Sequence, residues 1–193
     1  MLVDPYRTLS AWLEEAEATE PRVHDAAQLA TANRLGRPSI RTVLVKAVDP
    51  GRGLVFHTNH RSRKGRDLLE NPHAALCFHW KSLARQVIVE GAAAPISTDE
   101  ADTYFATRPR GSQLAAWASE QSAPLLSREA LEARLAAITA RYDGAPVPRP
   151  PHWGGFRLTP RRFEFWMDGV DRLHERFAAV RRGDGWAFVR LNP

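Results

Sequence analysis

Ile40-Arg41-Thr42-Val43-Leu44-Val45-Lys46-Ala47-Val48-Asp49-Pro50-Gly51-Arg52-Gly53-Leu54-Val55-Phe56-His57-Thr58 holds two strand-like runs, residues 40–48 and 53–58, on either side of an Asp49-Pro50-Gly51 turn. Runs rich in Val, Leu and Phe that are broken only by turn residues read as β-strands. A third run, Ala26–Ala32, precedes them across Gly36-Arg37-Pro38, and a short helix over Arg63–Glu70 follows. His73–Trp80 and residues 85–94 then read as two paired strands. Ahead of the strands, Asp4-Pro5 supplies an N-cap and a first helical residue, and Leu9, Trp12, Leu13 and Ala16 recur at helical spacing, so a helix is expected over Pro5–Thr19. After the strands the chain turns helical. Ser97 with Glu100 fits a capping box, Pro109 must end that helix, and further helices are expected over residues 113–119 and 128–142. A Pro-rich connector, residues 146–151, leads into a tail of strand-like runs at 156–158, 162–166, 172–180 and 186–191, with Gly183-Asp184-Gly185 as a hairpin turn. No repeat or domain break interrupts the pattern. The expectation is one α+β, mainly β domain spanning residues 1–193, built on an antiparallel barrel with peripheral helices.

The 193 residues suffice for one sizeable core, and 44% hydrophobic with 25% charged residues is a globular balance, so disorder is not expected. No stretch approaches the roughly 18 to 20 apolar residues a membrane-spanning helix needs. Met1-Leu2-Val3-Asp4-Pro5 shows neither a basic leader nor an apolar signal core. The single cysteine, Cys77, lies in an apolar run and excludes an internal disulfide. A soluble cytoplasmic protein is the resulting expectation. The net charge of +5 invites a nucleic-acid partner, but the basic residues form no long run and are mixed with 22 acidic ones. Only Lys46, Lys64 and Lys81 among the 27 basic residues are lysine, and arginine forks suit small phosphorylated ligands as well.

Four constellations could carry chemistry. In Arg41-Thr42-Val43-Leu44-Val45-Lys46, positions five apart on a strand face opposite ways, so Arg41 and Lys46 could serve two ligands; a core strand with charged ends has the same pattern. Ser62-Arg63-Lys64 places two cations in the first turn of a helix, against its dipole, which a bound anion would relieve. Tyr104 and Arg108 share a helix face before Pro109, and Ser112 can cap the next helix, giving either a phosphate cradle or an ordinary helical turn. Arg172, His174 and Arg176 would share one face of a strand, a repulsive arrangement unless it meets an anionic or electron-rich ligand. His57 and His60 have metal-like spacing, but no zinc pattern follows them, so no metal is expected. GxGxxG, the P-loop and the nucleophile elbow are all missing.

Together these segments resemble the pyridoxamine 5′-phosphate oxidase family, in order and across nearly the whole chain. Further matches are Phe56-His57-Thr58-Asn59, Arg85-Gln86-Val87, Trp117-Ala118-Ser119-Glu120-Gln121-Ser122 and Trp153-Gly154-Gly155-Phe156-Arg157. The resemblance implies an FMN-binding split β-barrel that forms a homodimer, with FMN sites across the subunit interface. It implies flavin contacts from Arg41, Thr42, Val43, Leu44, Val45, Lys46, His57, Thr58, Arg63, Lys64, Gln86, Gln121, Ser122, Trp166 and Arg176. Substrate phosphate would be held by Lys46, Tyr104, Arg108 and Ser112, while Arg172 and His174, as catalytic residues, would lie over the substrate's pyridine ring. The implied reaction oxidises pyridoxamine or pyridoxine 5′-phosphate with O2 to pyridoxal 5′-phosphate and hydrogen peroxide, with no nucleic acid or membrane partner.

Two departures from the family pattern stand out. His57 replaces a more usual Tyr, and the chain begins close to the first helix, without the basic, Tyr-containing extension of many members. The nearest rival is a related FMN-dependent oxidase of phenazine biosynthesis. A non-catalytic flavin- or pyridoxal-phosphate-binding carrier is the rival from another class.

Overall fold

The computed structural model describes residues 4–193, so the reading of the first three residues as lacking a leader lies outside the described residues. The chain divides into two compact units. The first comprises the described residues through Phe56, then Asp67–Ala94 and Arg157–Pro193; the second comprises His57–Arg66 and Pro95–Phe156.

The first unit is built on strands. β1 (Ala26–Ala32), β2 (Pro38–Asp49), β3 (Gly53–Asn59), β4 (His73–Trp80), β5 (Arg85–Pro95) and β6 (Trp153–Met167) run in the sheet order β3-β2-β1-β4-β5-β6. A β3–β6 pairing closes these six into a barrel, and β7 (Glu175–Arg182) and β8 (Gly185–Leu191) extend the sheet beyond β6. The ladders joining β1 to β2, β2 to β3, β1 to β4, β4 to β5, β6 to β7 and β7 to β8 are antiparallel. Closure removes the open edges of these six strands, and β8 remains an edge of the extended sheet. Alternation fills the interior: Leu76, Phe78 and Trp80 of β4 and Val87 and Val89 of β5 are buried at every second position. β5 and β6 approach so closely that a Cβ on Gly91 would lie 2.1 Å from the Thr159 carbonyl oxygen, so only glycine fits there. Cys77, on β4, is half-buried, and burial pushes its thiol pKa up.

Helix α1 (Pro5–Thr19) packs its Leu9, Trp12 and Ala16 face onto this unit, with Trp12 edge-on to Phe165 at 5.3 Å. Asp4 caps it, accepting from the Tyr6 and Arg7 N–H groups at 2.8 and 3.4 Å. Asp4→Ala is expected to cost about 1 kcal/mol, read as a lower urea midpoint with an unchanged slope.

The second unit is helical. It holds the start of α2 (Arg63–Glu70), then α3 (Thr98–Thr107), α4 (Arg110–Ala118) and α5 (Arg128–Arg141). Ser62 and Ser97 cap α2 and α3, accepting from Gly65 N–H and Glu100 N–H at 3.2 Å each. Phe105, Leu114, Val147 and Trp153 form its core, with Tyr104, Trp117, Ile138 and Tyr142 packed around them. None of the described helices is long and apolar enough to cross a membrane.

Three expectations are corrected. The runs at 156–158 and 162–166 are one strand, β6, because Pro160 interrupts only its own N–H while the extended backbone continues through it. The strand expected from residue 172 begins at Glu175, because Val170–Arg172 form a 3-10 turn in which Asp171 (φ 54°) and Arg172 (φ 64°) are left-handed. Helix α4 starts at Arg110, straight after Pro109, so Ser112 lies inside its first turn rather than capping it.

Candidate active site

On β2 the alternation places Arg41, Val43 and Val45 toward the barrel interior and Thr42, Leu44 and Lys46 outward, so Arg41 and Lys46 do face opposite ways. Arg41 is anchored within the first unit: Nη1 donates to Thr31 Oγ1 (2.7 Å) and the Leu29 carbonyl (3.2 Å), Nη2 donates to Ser39, and Asp67 lies 3.7 Å away. Asp67 also accepts from the Thr31 and Ser39 hydroxyls, at 2.7 and 2.9 Å. Thr42 donates to Gln28 at 3.2 Å. The register of β2 against β3 shifts between Val45 and Ala47, so Lys46 is the extra residue of a β-bulge. Its ammonium pairs with Asp25 at 2.6 Å, in a cleft lined by Ser10, Leu13, His24, Val45, Ala47 and Val48.

A second group in this unit gathers where the β6–β7 ladder ends. Trp166 faces Arg176 across the ladder, and the His174 ring lies 4.7 Å from the Trp166 ring. Arg176 Nε and Nη2 donate to Glu164 at 2.9 and 2.5 Å, and Nη1 donates to the Asn192 carbonyl at 2.9 Å. Glu164, buried between Phe163 and Phe165, also accepts from Arg162 at 2.5 Å. Burial raises the Glu164 pKa, but hydrogen bonds from Arg176 and Arg162 outweigh it and hold the carboxyl below its usual range. Arg172 is exposed in its left-handed turn, with no ion pair among the described residues. Gln86 lies opposite His79 in the β4–β5 ladder.

The second unit brings together two further groups. Lys64, buried in the first turn of α2, donates to Thr58 Oγ1 at 3.3 Å, and the Thr58 hydroxyl donates to Gln121 Oε1 at 3.3 Å. Ser122 follows in a left-handed conformation (φ 72°), and Arg63 is exposed on the same helical turn as Lys64. In the other group, the His57 and Tyr104 rings stack at 3.7 Å and 9° from parallel, and Trp153 lies parallel to both. The Arg108 guanidinium sits 4.7 Å over the Trp153 ring. Burial lowers the Arg108 pKa, opposed by Tyr104, and the buried Nη1 has no hydrogen-bond partner among the described residues. A guanidinium held on an indole face with a buried donor left over can accept an anion as its partner. Ser112 is half-buried in the first turn of α4.

Sequence reasoning missed the carboxylates: Asp25, Asp67, Glu164 and Asp168, which lies 3.1 Å from His174. Only Glu164 carried a signal, an acid inside the aromatic run Phe163-Glu164-Phe165-Trp166 with Arg162 two residues before it.

A sequence model of the family described as pyridoxamine 5′-phosphate oxidase matches residues 13–142. A second, for the pyridoxine 5′-phosphate oxidase C-terminal dimerisation region, matches residues 153–193. The chain is 54% identical over 194 residues to a pyridoxine/pyridoxamine 5′-phosphate oxidase of Rhodospirillum rubrum, covering 98% of this chain and 96% of that one. It is 54% identical over 190 residues to the protein of the same name from Rubrobacter xylanophilus, at 98% and 87% coverage. Among solved structures, PhzG of Burkholderia lata 383, in complex with tetrahydrophenazine-1-carboxylic acid, superposes with a TM-score of 0.93 at 37% identity, over 99% of this chain and 93% of that one. An FMN-binding, pyridoxamine 5′-phosphate oxidase-related protein of Nostoc punctiforme shares the fold at a TM-score of 0.78 and 19% identity, over the full length of both. By sequence over its whole length and by fold, the chain belongs to the pyridoxamine 5′-phosphate oxidase family.

Proposed function

We propose that the protein is a cytoplasmic, homodimeric FMN-dependent oxidase that converts pyridoxamine 5′-phosphate or pyridoxine 5′-phosphate to pyridoxal 5′-phosphate, residues 1–193 acting as one flavin-binding domain. Identity of 54% to relatives named for this activity supports the reading, as does the dimerisation region matched at the C-terminus. The observation that carries it is Arg108: a buried guanidinium nitrogen without a hydrogen-bond partner among the described residues, near enough to Tyr104 to feel its charge, suits a substrate phosphate.

The donor set fits a flavin phosphate too. Arg63 and Lys64 stand at the start of α2, where N–H groups and two cations would balance the roughly −1.5 to −2 charge of a phosphate. Thr58, Gln121 and Ser122 offer neutral hydrogen-bonding groups beside Lys64. His57 would lie against the cofactor through the ring it stacks on Tyr104. Gln86, Trp166 and Arg176, with Arg41 and Thr42 on β2, are the further flavin contacts of this proposal. The Val43 and Val45 side chains are in the barrel core, so they would contribute chiefly backbone groups, whereas the Leu44 side chain faces outward.

Bound FMN would supply the redox chemistry, taking a hydride equivalent from C4′ of the substrate and passing the electrons to O2. The alcohol then yields aldehyde and hydrogen peroxide; the amine yields the same with one water consumed and ammonia released. The protein's part is orientation and electrostatics. Lys46, Tyr104, Arg108 and Ser112 would hold the substrate phosphate, and Arg172 and His174 would orient the ring and support its changing charge.

A phenazine-type oxidase is the second reading, favoured by the PhzG superposition. The discriminating test supplies the purified protein with FMN, O2 and pyridoxine 5′-phosphate or the amine. Pyridoxal 5′-phosphate formed with equimolar peroxide is the expected result. Tight FMN binding with no product from either compound would overturn the substrate assignment.

A further inference from the structure

We propose that Asp168 is the positioning residue of His174, fixing which imidazole nitrogen carries the proton. This inference rests on the proposed role of His174 at the substrate ring. Two groups compete for one atom. His174 Nδ1 is 3.1 Å from Asp168 Oδ1 and 3.3 Å from the Gly169 amide nitrogen. An amide N–H can only donate, so it needs a lone pair on Nδ1; an ionised carboxylate can only accept, so it needs a proton there. Nδ1 satisfies one demand at a time. The carboxylate partner is the stronger, because a charge-assisted hydrogen bond outweighs a neutral one. The proton therefore sits on Nδ1, and Nε2 keeps its lone pair.

The backbone holds this pair together. The β6–β7 ladder stops at Met167↔Glu175, so Asp168 and His174 are the residues that face each other where the next rung would fall. The loop between them is tight: the Asp168 N–H donates to the Ala84 carbonyl at 3.0 Å, the Leu173 N–H donates to the Val170 carbonyl at 3.0 Å, and a Cβ on Gly169 would meet the Leu173 carbonyl oxygen at 2.2 Å. The Trp166 ring lies 4.7 Å from the imidazole, tilted 47° to it. The other charged groups on this loop and the adjoining strands are Arg157, Arg161, Arg162 and Glu164 on β6, Asp171 and Arg172 in the loop, and Glu175, Arg176, Arg181 and Arg182 on β7. No acid among these is within ion-pair distance of His174 among the described residues, whereas Asp168 is. With Nε2 unprotonated, His174 would meet the substrate ring as a hydrogen-bond acceptor; without Asp168, the Gly169 N–H would claim Nδ1 and turn Nε2 into a donor.

The test compares wild type, Asp168→Ala and Asp168→Asn as FMN-loaded dimers with 15N-labelled histidine. The Asp168 side chain is 57% exposed, so neither change threatens the fold. In wild type the His174 signals should show Nδ1–H. Asp168→Ala should move them to Nε2–H, and Asp168→Asn, which keeps a neutral acceptor, should give an intermediate ratio. Turnover of the alanine variant should fall on the order of 10-fold, the scale for losing the carboxylate partner of a functional histidine, with KM little changed. An unchanged tautomer ratio in Asp168→Ala overturns the proposal whatever the activity. If the ratio shifts but wild type oxidises neither substrate, Asp168 still positions His174, and it is the oxidase reading that falls.

Discussion

Arg172→Leu is expected to lower turnover by roughly 10²–10³-fold, the scale for removing one preorganised donor from a reacting centre, while FMN affinity holds. Arg172 is exposed, makes no ion pair among the described residues and stands at φ 64°, a left-handed backbone that costs a non-glycine residue about 1–3 kcal/mol. Asp171 before it is left-handed as well. No ion pair among the described residues repays that conformation, which points to a guanidinium held for use outside the fold. Leucine keeps the Cβ and the backbone demand unchanged, so stability should barely move and the loss should report the missing cation. Steady-state kinetics beside a flavin titration separates the two effects. Near-normal turnover would remove Arg172 from the proposed reaction.

Glu164→Ala acts on stability. The carboxylate, 7% exposed, is shared by Arg162 and Arg176, whose side chains are 28% and 31% exposed. Removing it leaves two guanidiniums converging on an empty position, Arg162 still paired with Glu90 at 2.7 Å and Arg176 with no carboxylate partner among the described residues. Breaking a buried ion pair costs about 3 kcal/mol at the low end of its range, and the partial exposure of both arginines argues for that end. The pH dependence follows from the lowered pKa. A carboxylate whose folded pKa lies below its unfolded value stabilises the protein fully above the unfolded value and loses that contribution as pH falls through the folded one. The gap between wild type and variant should therefore be full at neutral pH and shrink below about pH 4. Urea unfolding at both ends of that window measures it; a gap that widens on acidification would contradict the assignment.

What could be read from the sequence, and what could not, divides along physical lines. The barrel was legible because runs rich in Val, Leu and Phe at 40–48 and 53–58 flank a turn whose residues admit little else. Helices α1 and α3 were legible from caps, Asp4 and Ser97, that act locally. β6 was read as two pieces because Pro160 looks like a break, although a strand tolerates the loss of one N–H where the ladder does not need it. The start of β7 was misplaced because two consecutive left-handed residues, Asp171 and Arg172, contain no glycine to announce them. The cationic members of the candidate site were visible from residue type and spacing. Their carboxylate partners were not: Asp67 meets Arg41 only across elements, and Asp168 meets His174 only once β6 and β7 are in register.

Cys77 bears on how the protein would endure its own chemistry. Hydrogen peroxide, released at every turnover of the proposed reaction, attacks thiolates rather than thiols and drives them up an oxidation ladder that ends irreversibly. With its single thiol half-buried and its ionisation suppressed by burial, the chain offers that by-product a poor cysteine target. Resistance to self-inactivation would then be a property of where one small residue sits in β4, independent of the groups that turn the substrate over.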